Sequence, residues 1–167
     1  MSGLVIRDAA PADAGLVHAF VVELAVYEKL AHEVRSTPEL IAEALFRPAP
    51  RLFANVAEWD GAPAGFALWF YNFSTFQGRH GLYVEDLYVR EAMRGHGIGK
   101  ALLRSLARRC RDEGLARLDW SVLDWNRPSI DFYKAQGAVM LDGWTQCRLS
   151  GDALTRLAGL PDAAERP

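Results

Sequence analysis

The sequence predicts a mixed α/β fold, with one domain built around a central sheet that helices flank. Three observations support this prediction. The 167 residues are enough to bury one substantial core. Segments whose apolar residues recur at three- and four-residue steps alternate with short runs rich in β-branched and aromatic residues. Glycine, proline and aspartate separate these segments and indicate turns.

The predicted order of elements is strand, two helices, three strands, helix, strand, helix and further strands. In the first half we expect a strand at 4–7, a helix opened by Pro11 and Asp13, a second helix opened by Thr37 and Pro38, and strands at 52–59 and 64–73 around a turn at 60–63. In the second half we expect a strand at 82–89, a helix at 97–113, a strand at 117–123, a helix from Pro128 to Gly137, strands at 139–141 and 144–149, and helical turns at 152–157. The domain is expected to span residues 1–167, with a frayed tail from residue 159.

The composition is that of an ordinary globular protein. The formal net charge of -2 argues against a dedicated nucleic-acid binder. The N-terminus lacks the charged start and apolar stretch of a signal peptide, and no uncharged stretch is long enough to span a membrane. We therefore expect a soluble, cytoplasmic protein. Cys110 and Cys147 are expected to be buried free thiols rather than a disulfide.

A loop with alternating glycines is the most informative stretch of the sequence. It consists of Arg94, Gly95, His96, Gly97, Ile98 and Gly99, between a predicted strand and a predicted helix. Glycines let the backbone approach a ligand, and free N–H groups at a helix N-terminus bind phosphate. The loop fits neither G-x-G-x-x-G nor G-x-x-x-x-G-K-[ST], which excludes two better-known phosphate loops. The remaining interpretations are an R-x-x-G-x-G pyrophosphate site, which Lys100 can support, or a flexible turn.

The chain resembles the GNAT acetyltransferases, whose acetyl-CoA pyrophosphate binds an R/Q-x-x-G-x-G/A loop at a helix N-terminus. Within that family it is most similar to the spermidine/spermine and thialysine N-acetyltransferases. The likeness rests on the glycine loop, the string Tyr83-Val84-Glu85-Asp86, and the string from Trp125 to Lys134. It implies acetyl-CoA as cosubstrate and no metal. The cofactor-binding residues it implies are Leu87, Tyr88, Val89, Arg94, Gly95, His96, Gly97, Ile98, Gly99, Lys100, Asn126, Ser129 and Tyr133; Asn126 and Ser129 also suit helix capping.

Amide formation from a thioester requires a neutral amine, a stabilised oxyanion and a protonated leaving thiolate. Glu85 is the candidate base, acting directly or through water. On a regular strand Asp86 would point to the opposite face, where it would be structural or close the substrate pocket. Tyr133 matches the family's proton-donating tyrosine, although from its sequence context alone it is a helix tyrosine that packs with Phe132. The reference pKa of tyrosine, about 10, is close enough to that of a thiol for proton transfer to the leaving thiolate.

The acceptor is expected to be a small primary amine. The resemblance implies that Tyr27, Glu28, Glu85, Asp86, Asp142 and Trp144 border its site. Acidic groups suit a cation, and Gln77 and Arg79 suit a substrate that also carries a carboxylate. We therefore expect a thialysine- or lysine-like amino acid ahead of diamines and polyamines. The alternatives are a protein or peptide N-acetyltransferase and a non-catalytic acyl-CoA sensor. Relatives of this kind form homodimers, which exposed aromatic side chains would permit: Trp69, Tyr71, Phe73 and Phe76.

Overall fold

The computed structural model describes residues 3–160. The chain divides into two compact units, Met1–Asn126 and Arg127–Pro167. Part of the predicted frayed tail, residues 161–167, lies outside the described residues. The earlier part of that tail is hydrogen-bonded: the N–H groups of Gly159 and Leu160 donate to the carbonyls of Arg156 and Thr155.

The first unit contains a five-stranded sheet with strand order β1-β2-β3-β4-β5. Its strands are β1 (Leu4–Asp8), β2 (Phe53–Trp59), β3 (Ala62–Ser74), β4 (Arg79–Val89) and β5 (Leu118–Trp120). The first three pairings are antiparallel and the β4–β5 pairing is parallel. A parallel pair needs a crossover connection, and the helix between β4 and β5 supplies it. The predicted mixed sheet with flanking helices is confirmed.

Three helices of the first unit cover both faces of the sheet. They are α1 (Ala14–Tyr27), α2 (Pro38–Phe46) and α3 (Ile98–Asp112). Leu102 and Leu106 of α3 pack against Trp69, Leu82 and Val84 on one face of the sheet. On the other face, residues of α1 and α2 pack against sheet residues in a second apolar cluster that comprises Val17, Phe20, Ile41, Leu45, Phe66 and Leu68. The amphipathic patterns in the sequence therefore define two cores on opposite sides of one sheet.

The second unit contains two helices, α4 (Arg127–Ala135) and α5 (Gly151–Leu157). The strands predicted at 139–141 and 144–149 are wrong, because within residues 3–160 the segment between α4 and α5 forms no strand. Its large apolar side chains are exposed: Val139 by 81%, Leu141 by 67% and Trp144 by 78%. β-branched and aromatic residues stabilise a strand only where a neighbouring strand and a buried face are available.

Three smaller expectations also need correction. The parallel strand β5 is shorter than the predicted segment 117–123. Both cysteines are free thiols as expected, but only Cys110 is buried, whereas Cys147 is exposed. Trp69 is buried in the core rather than exposed. Its indole N–H, which burial removes from water, donates to Asn55 Oδ1 at 2.8 Å. Among the described residues, no helix is long and apolar enough to cross a membrane.

Candidate active site

An extra residue interrupts the pairing of β3 and β4. Leu68 is opposite Asp86 and the next residue, Trp69, is opposite Val84, so Glu85 is unmatched and forms a β-bulge. Beyond the bulge, Tyr88 packs on the α1 and α2 side of the sheet, whereas Leu87 packs on the α3 side. Because side chains alternate along a strand, Asp86 shares the face of Tyr88. The Asp86 side chain is therefore on the α1 and α2 side of the sheet, where the charge of Glu28 acts on it, and Glu85 is exposed.

The strands β4 and β5 pair only over three residues, from Leu82–Leu118 to Val84–Trp120. Within residues 3–160, no strand pairs with β4 beyond Val84 on the side of β5. The N–H of Arg90 donates to Ala64 O of β3 at 2.9 Å. Since N–H groups alternate in direction along a strand, those of Leu87 and Val89 point away from β3, into the gap beside β4. Of the three residues predicted to bind the acyl end through the backbone, these two have suitable N–H groups, and the N–H of Tyr88 faces β3.

The glycine loop (residues 94–99) ends at the N-terminus of α3. Gly97 is the N-cap of α3 with φ +76°, and Gly95 has φ +83°, both in the left-handed region that favours glycine. A Cβ at either position would meet nothing within 4 Å, so the space beside these two glycines is open. The first N–H groups of a helix have no partner within the helix, and they attract anions. The geometry fits a pyrophosphate.

The side chains near this loop have different surroundings. Ile98 is 2% exposed in the α3 core, so only its backbone is available to a ligand. Lys100 is exposed in the first turn of α3, as predicted. The His96 ring packs on Trp59 at 4.7 Å between centroids. The Arg94 guanidinium lies 4.6 Å from the centre of the Tyr27 ring, and its Nε donates to Val89 O at 3.1 Å.

We expect Gly97→Ala to raise the KM for acetyl-CoA by about tenfold or more, which corresponds to about 1.4 kcal/mol. The added methyl group has space in the protein itself, so the loss would come from its contact with the pyrophosphate and from the displaced N–H groups. Gly61→Ala is the matched control, because Gly61 lies in the β2–β3 turn with φ +81° and the same open surroundings. Both variants carry a backbone strain of about 1–2 kcal/mol. An equal KM for the two variants would contradict the assignment of the loop.

Three carboxylates, Glu28, Glu85 and Asp86, form what we call the acidic cluster. The pKa of the Asp86 carboxyl is raised to about 7, first by burial and then by the negative charges of Glu85 and Glu28. Burial also raises the pKa of Glu28. The cluster thus holds negative charge at a partly desolvated place, and a carboxyl with a pKa near neutrality is suited to proton transfer.

Aromatic and amide groups border the acidic cluster at the end of α1. Tyr27 Oη donates to Asn126 Oδ1 at 3.0 Å, and Asn126 is 4% exposed. The Tyr27 ring also lies 6.2 Å from the Trp125 ring. An ion pair of 2.8 Å between Arg90 Nη2 and Glu23 Oε1 ties α1 to the end of β4. These contacts hold Tyr27 and Glu28 near β4, although the two residues are far from that strand in the sequence.

The other predicted site residues belong to the second unit. Tyr133 is on α4, where it is 8% exposed beside the Phe132 ring at 5.2 Å. Ser129 is in the first turn of the same helix. Asp142 and Trp144 lie in the segment between α4 and α5, where both are exposed. Within residues 3–160 no group of His, Cys, Asp or Glu side chains is arranged to hold a metal ion.

Comparison with known proteins identifies the family. The family model of the GNAT acetyltransferases matches residues 18–138, more than half of the chain. The protein therefore belongs to the GNAT acetyltransferase family and is an N-acetyltransferase that acts on amines. Enzymes of this family use acetyl-CoA as their cosubstrate. The open glycine loop at the N-terminus of α3 is consistent with that cosubstrate.

Several relatives within this family are similar to the chain over most of its length. The chain is 36% identical to the thialysine N-epsilon-acetyltransferase of Bos taurus, over 95% of this chain and 99% of the relative. It is 30% identical to the L-ornithine N5-acetyltransferase of Arabidopsis thaliana, over 89% of this chain and 85% of the relative. A solved integron cassette protein from the mobile metagenome of V. cholerae is 26% identical, with a TM-score of 0.77 over 93% of this chain and 97% of that chain.

Proposed function

We propose that the protein transfers an acetyl group from acetyl-CoA to the side-chain amine of a small dipolar amino acid, such as thialysine, lysine or ornithine, ahead of diamines and polyamines. One observation supports this most strongly: two members of the acidic cluster, Glu85 and Asp86, lie on the strand that leads into the glycine loop, and the charge of Glu28 at the end of α1 acts on Asp86. An acyl donor and a cationic acceptor would therefore meet on the same segment of β4. The names of the bovine and Arabidopsis relatives support the choice of an amino-acid acceptor.

The reaction requires the amine nitrogen to lose a proton as it attacks the thioester carbonyl. An alkyl ammonium has a pKa of about 10.4, so only about one molecule in a thousand is neutral at pH 7. We propose that Glu85 accepts this proton, directly or through water, with Asp86 as the alternative base. The family likeness favours Glu85, whereas the raised pKa of Asp86, about 7, suits that carboxylate to proton transfer near neutral pH.

Two further groups are proposed to complete the chemistry. The N–H groups of Leu87 and Val89 would stabilise the negative charge on the carbonyl oxygen, because they point into the gap beside β4. As the C–S bond breaks, the leaving thiolate needs a proton, which the Tyr133 hydroxyl would donate. The glycine loop and Lys100 would hold the pyrophosphate, and Asn126 and Ser129 would help to hold the rest of the cosubstrate.

An acceptor screen tests the proposed function. Thialysine, lysine, ornithine, cadaverine, putrescine, spermidine and a peptide with a free N-terminus are each incubated with acetyl-CoA, and the released thiol is measured. We expect the highest kcat/KM for an amino acid with a side-chain amine. Turnover confined to spermidine would contradict the proposed substrate class. Turnover confined to the peptide would favour a protein N-acetyltransferase, and acetyl-CoA binding without turnover would favour a sensor.

We also propose that the protein forms a homodimer. The support is the resemblance together with exposed aromatic side chains on β3 and the turn that follows it. Tyr71 is 38% exposed, Phe73 51% and Phe76 96%. The cytoplasmic location remains a prediction from the sequence.

A further inference from the structure

Lys29 occupies a backbone position at which glycine is the usual residue. The N–H of Leu30 donates to Ala25 O at 2.8 Å, and the N–H of Lys29 donates to Val26 O at 3.1 Å. These two bonds form the Schellman motif at the end of α1, with Lys29 at its left-handed position and φ 63°. A non-glycine residue at this φ is strained, because its Cβ comes close to the following carbonyl oxygen. A strained residue next to a functional site motivates a search for the function of its side chain.

The side chain of Lys29 extends over an aromatic ring at the border of the site. Its Nζ lies 5.4 Å from the centre of the Trp125 ring, which in turn packs on Tyr27. A cation over a tryptophan face is held by the ring quadrupole. Among residues 3–160 no carboxylate forms an ion pair with Lys29. The ammonium therefore lies beside Trp125, and its charge is available to a ligand.

The other candidate cations are less suited to bind a carboxylate of the acceptor. Arg79 begins β4, six residues before Glu85, which is about 20 Å along a strand. Within one chain that is too far for a small amino acid whose amine is at the acidic cluster. Arg94 belongs to the glycine loop that is proposed to hold the pyrophosphate, and its Nε donates to Val89 O. Lys29, in contrast, follows Glu28 directly, and the charge of Glu28 acts on Asp86.

We infer that Lys29 binds the α-carboxylate of a dipolar amino-acid acceptor whose side-chain ammonium is turned towards Glu28, Glu85 and Asp86. This inference rests on the proposed function, and it makes Lys29 the residue that selects amino acids over diamines and polyamines. An amino acid is attracted at both ends, by the acidic cluster and by Lys29. A diamine or polyamine has no carboxylate, and its second ammonium is repelled by Lys29.

The test uses acceptor pairs that differ only in a carboxylate: lysine with cadaverine, and ornithine with putrescine. We expect Lys29→Gln to lower kcat/KM for lysine and ornithine by about tenfold or more, mainly through KM, since about 1.4 kcal/mol corresponds to tenfold. The diamines should keep their kcat/KM or improve. Lys29→Arg retains the charge at the same strained φ and should retain the preference for amino acids. Arg111→Gln is the charge-matched control, because Arg111 is 88% exposed near the opposite end of α3 from the glycine loop.

The outcomes separate this inference from the proposed function. If the wild-type protein acetylates none of the paired amines, or prefers the diamines, the proposed function fails and the inference fails with it. If the wild-type protein prefers the amino acids and Lys29→Gln keeps that preference, only the inference is overturned. An equal loss on both members of each pair would assign Lys29 a structural role and would also overturn it.

Discussion

Replacing Tyr133 with phenylalanine is expected to lower kcat by about 100-fold or more, with the affinity for acetyl-CoA changed only a few-fold. The substitution removes one hydroxyl group and leaves the ring, which is 8% exposed on α4. If that hydroxyl protonates the leaving thiolate, the variant must expel a more basic group or obtain its proton from water. Binding of the thioester does not need that proton, so the KM of the variant for acetyl-CoA should stay within a few-fold of that of the wild-type protein.

Tyr71→Phe is the control for this experiment. Its hydroxyl donates to Glu113 Oε2 at 2.7 Å on the surface, so this variant loses the same group at a place remote from the proposed chemistry. The measurement is the steady-state rate of thiol release, together with equilibrium binding of acetyl-CoA. A Tyr133→Phe enzyme with the kcat of the Tyr71→Phe enzyme would rule out the acid role.

Replacing Asp86 with asparagine is expected to lower kcat/KM for the amine by about 100-fold and to abolish an inflection near pH 7. The reason is that the pKa of Asp86 is raised to about 7 by burial and by its acidic neighbours, so the basic carboxylate forms only above that pH. Activity of the wild-type protein should therefore rise with pH through this range. The pH–rate profile of the wild-type protein and the variant is the measurement.

Glu85→Gln is the matched variant, because it removes the neighbouring negative charge and keeps the Asp86 carboxylate. If Asp86 is the base, the inflection remains in Glu85→Gln and shifts to lower pH, since one of the charges that raise the pKa of Asp86 is gone. If Glu85 is the base, Glu85→Gln shows the larger loss of rate. An Asp86→Asn profile identical to that of the wild-type protein would contradict the role of Asp86.

The same pKa has a consequence for stability. The folded protein keeps a proton on Asp86 up to about pH 7, whereas in the unfolded chain the carboxyl loses it near its ordinary pKa of 3.8. Between these values the unfolded state binds fewer protons, so the contribution of Asp86 to the free energy of unfolding falls as pH rises. The fall is on the order of 4 kcal/mol across the window. Asp86→Asn should remove it, which denaturant unfolding at several pH values would reveal.

The sequence predicted the features that depend on residues close together in the chain. The glycine loop is one example, because its glycines, leading arginine and following helix are contiguous. The hairpin turn at Asp60 and Gly61 is another, with both residues at positive φ as a two-residue turn requires. Features that depend on pairing between distant segments were missed. The bulge at Glu85 exists only relative to β3, and the raised pKa of Asp86 depends on burial and on Glu28 of α1.

The wrong strands in the second unit have a similar origin. Val139, Leu141 and Trp144 have the residue types of a strand, but residue type alone does not supply a neighbouring strand. Tyr27 and Glu28 were assigned to the acceptor site through the family likeness, not through their spacing. The contact of Lys29 with Trp125 had no signal in the sequence, since a lysine after a helix is ordinarily a solvated residue.

The extra residue at Glu85 changes which residues of β4 face the core beneath α3. Before it, even-numbered Leu82 and Val84 contribute to the core against α3; after it, odd-numbered Leu87 and Val89 do so. If Glu85 paired with β3 as a regular residue rather than forming a bulge, strict alternation would turn Asp86 into the apolar core and Leu87 out of it. One residue therefore lets the same strand keep a continuous hydrophobic face along its length and still present a carboxylate to the opposite side. A deletion of Glu85 would remove the bulge and its local bend, and the residues on either side of it would keep the faces that they have now.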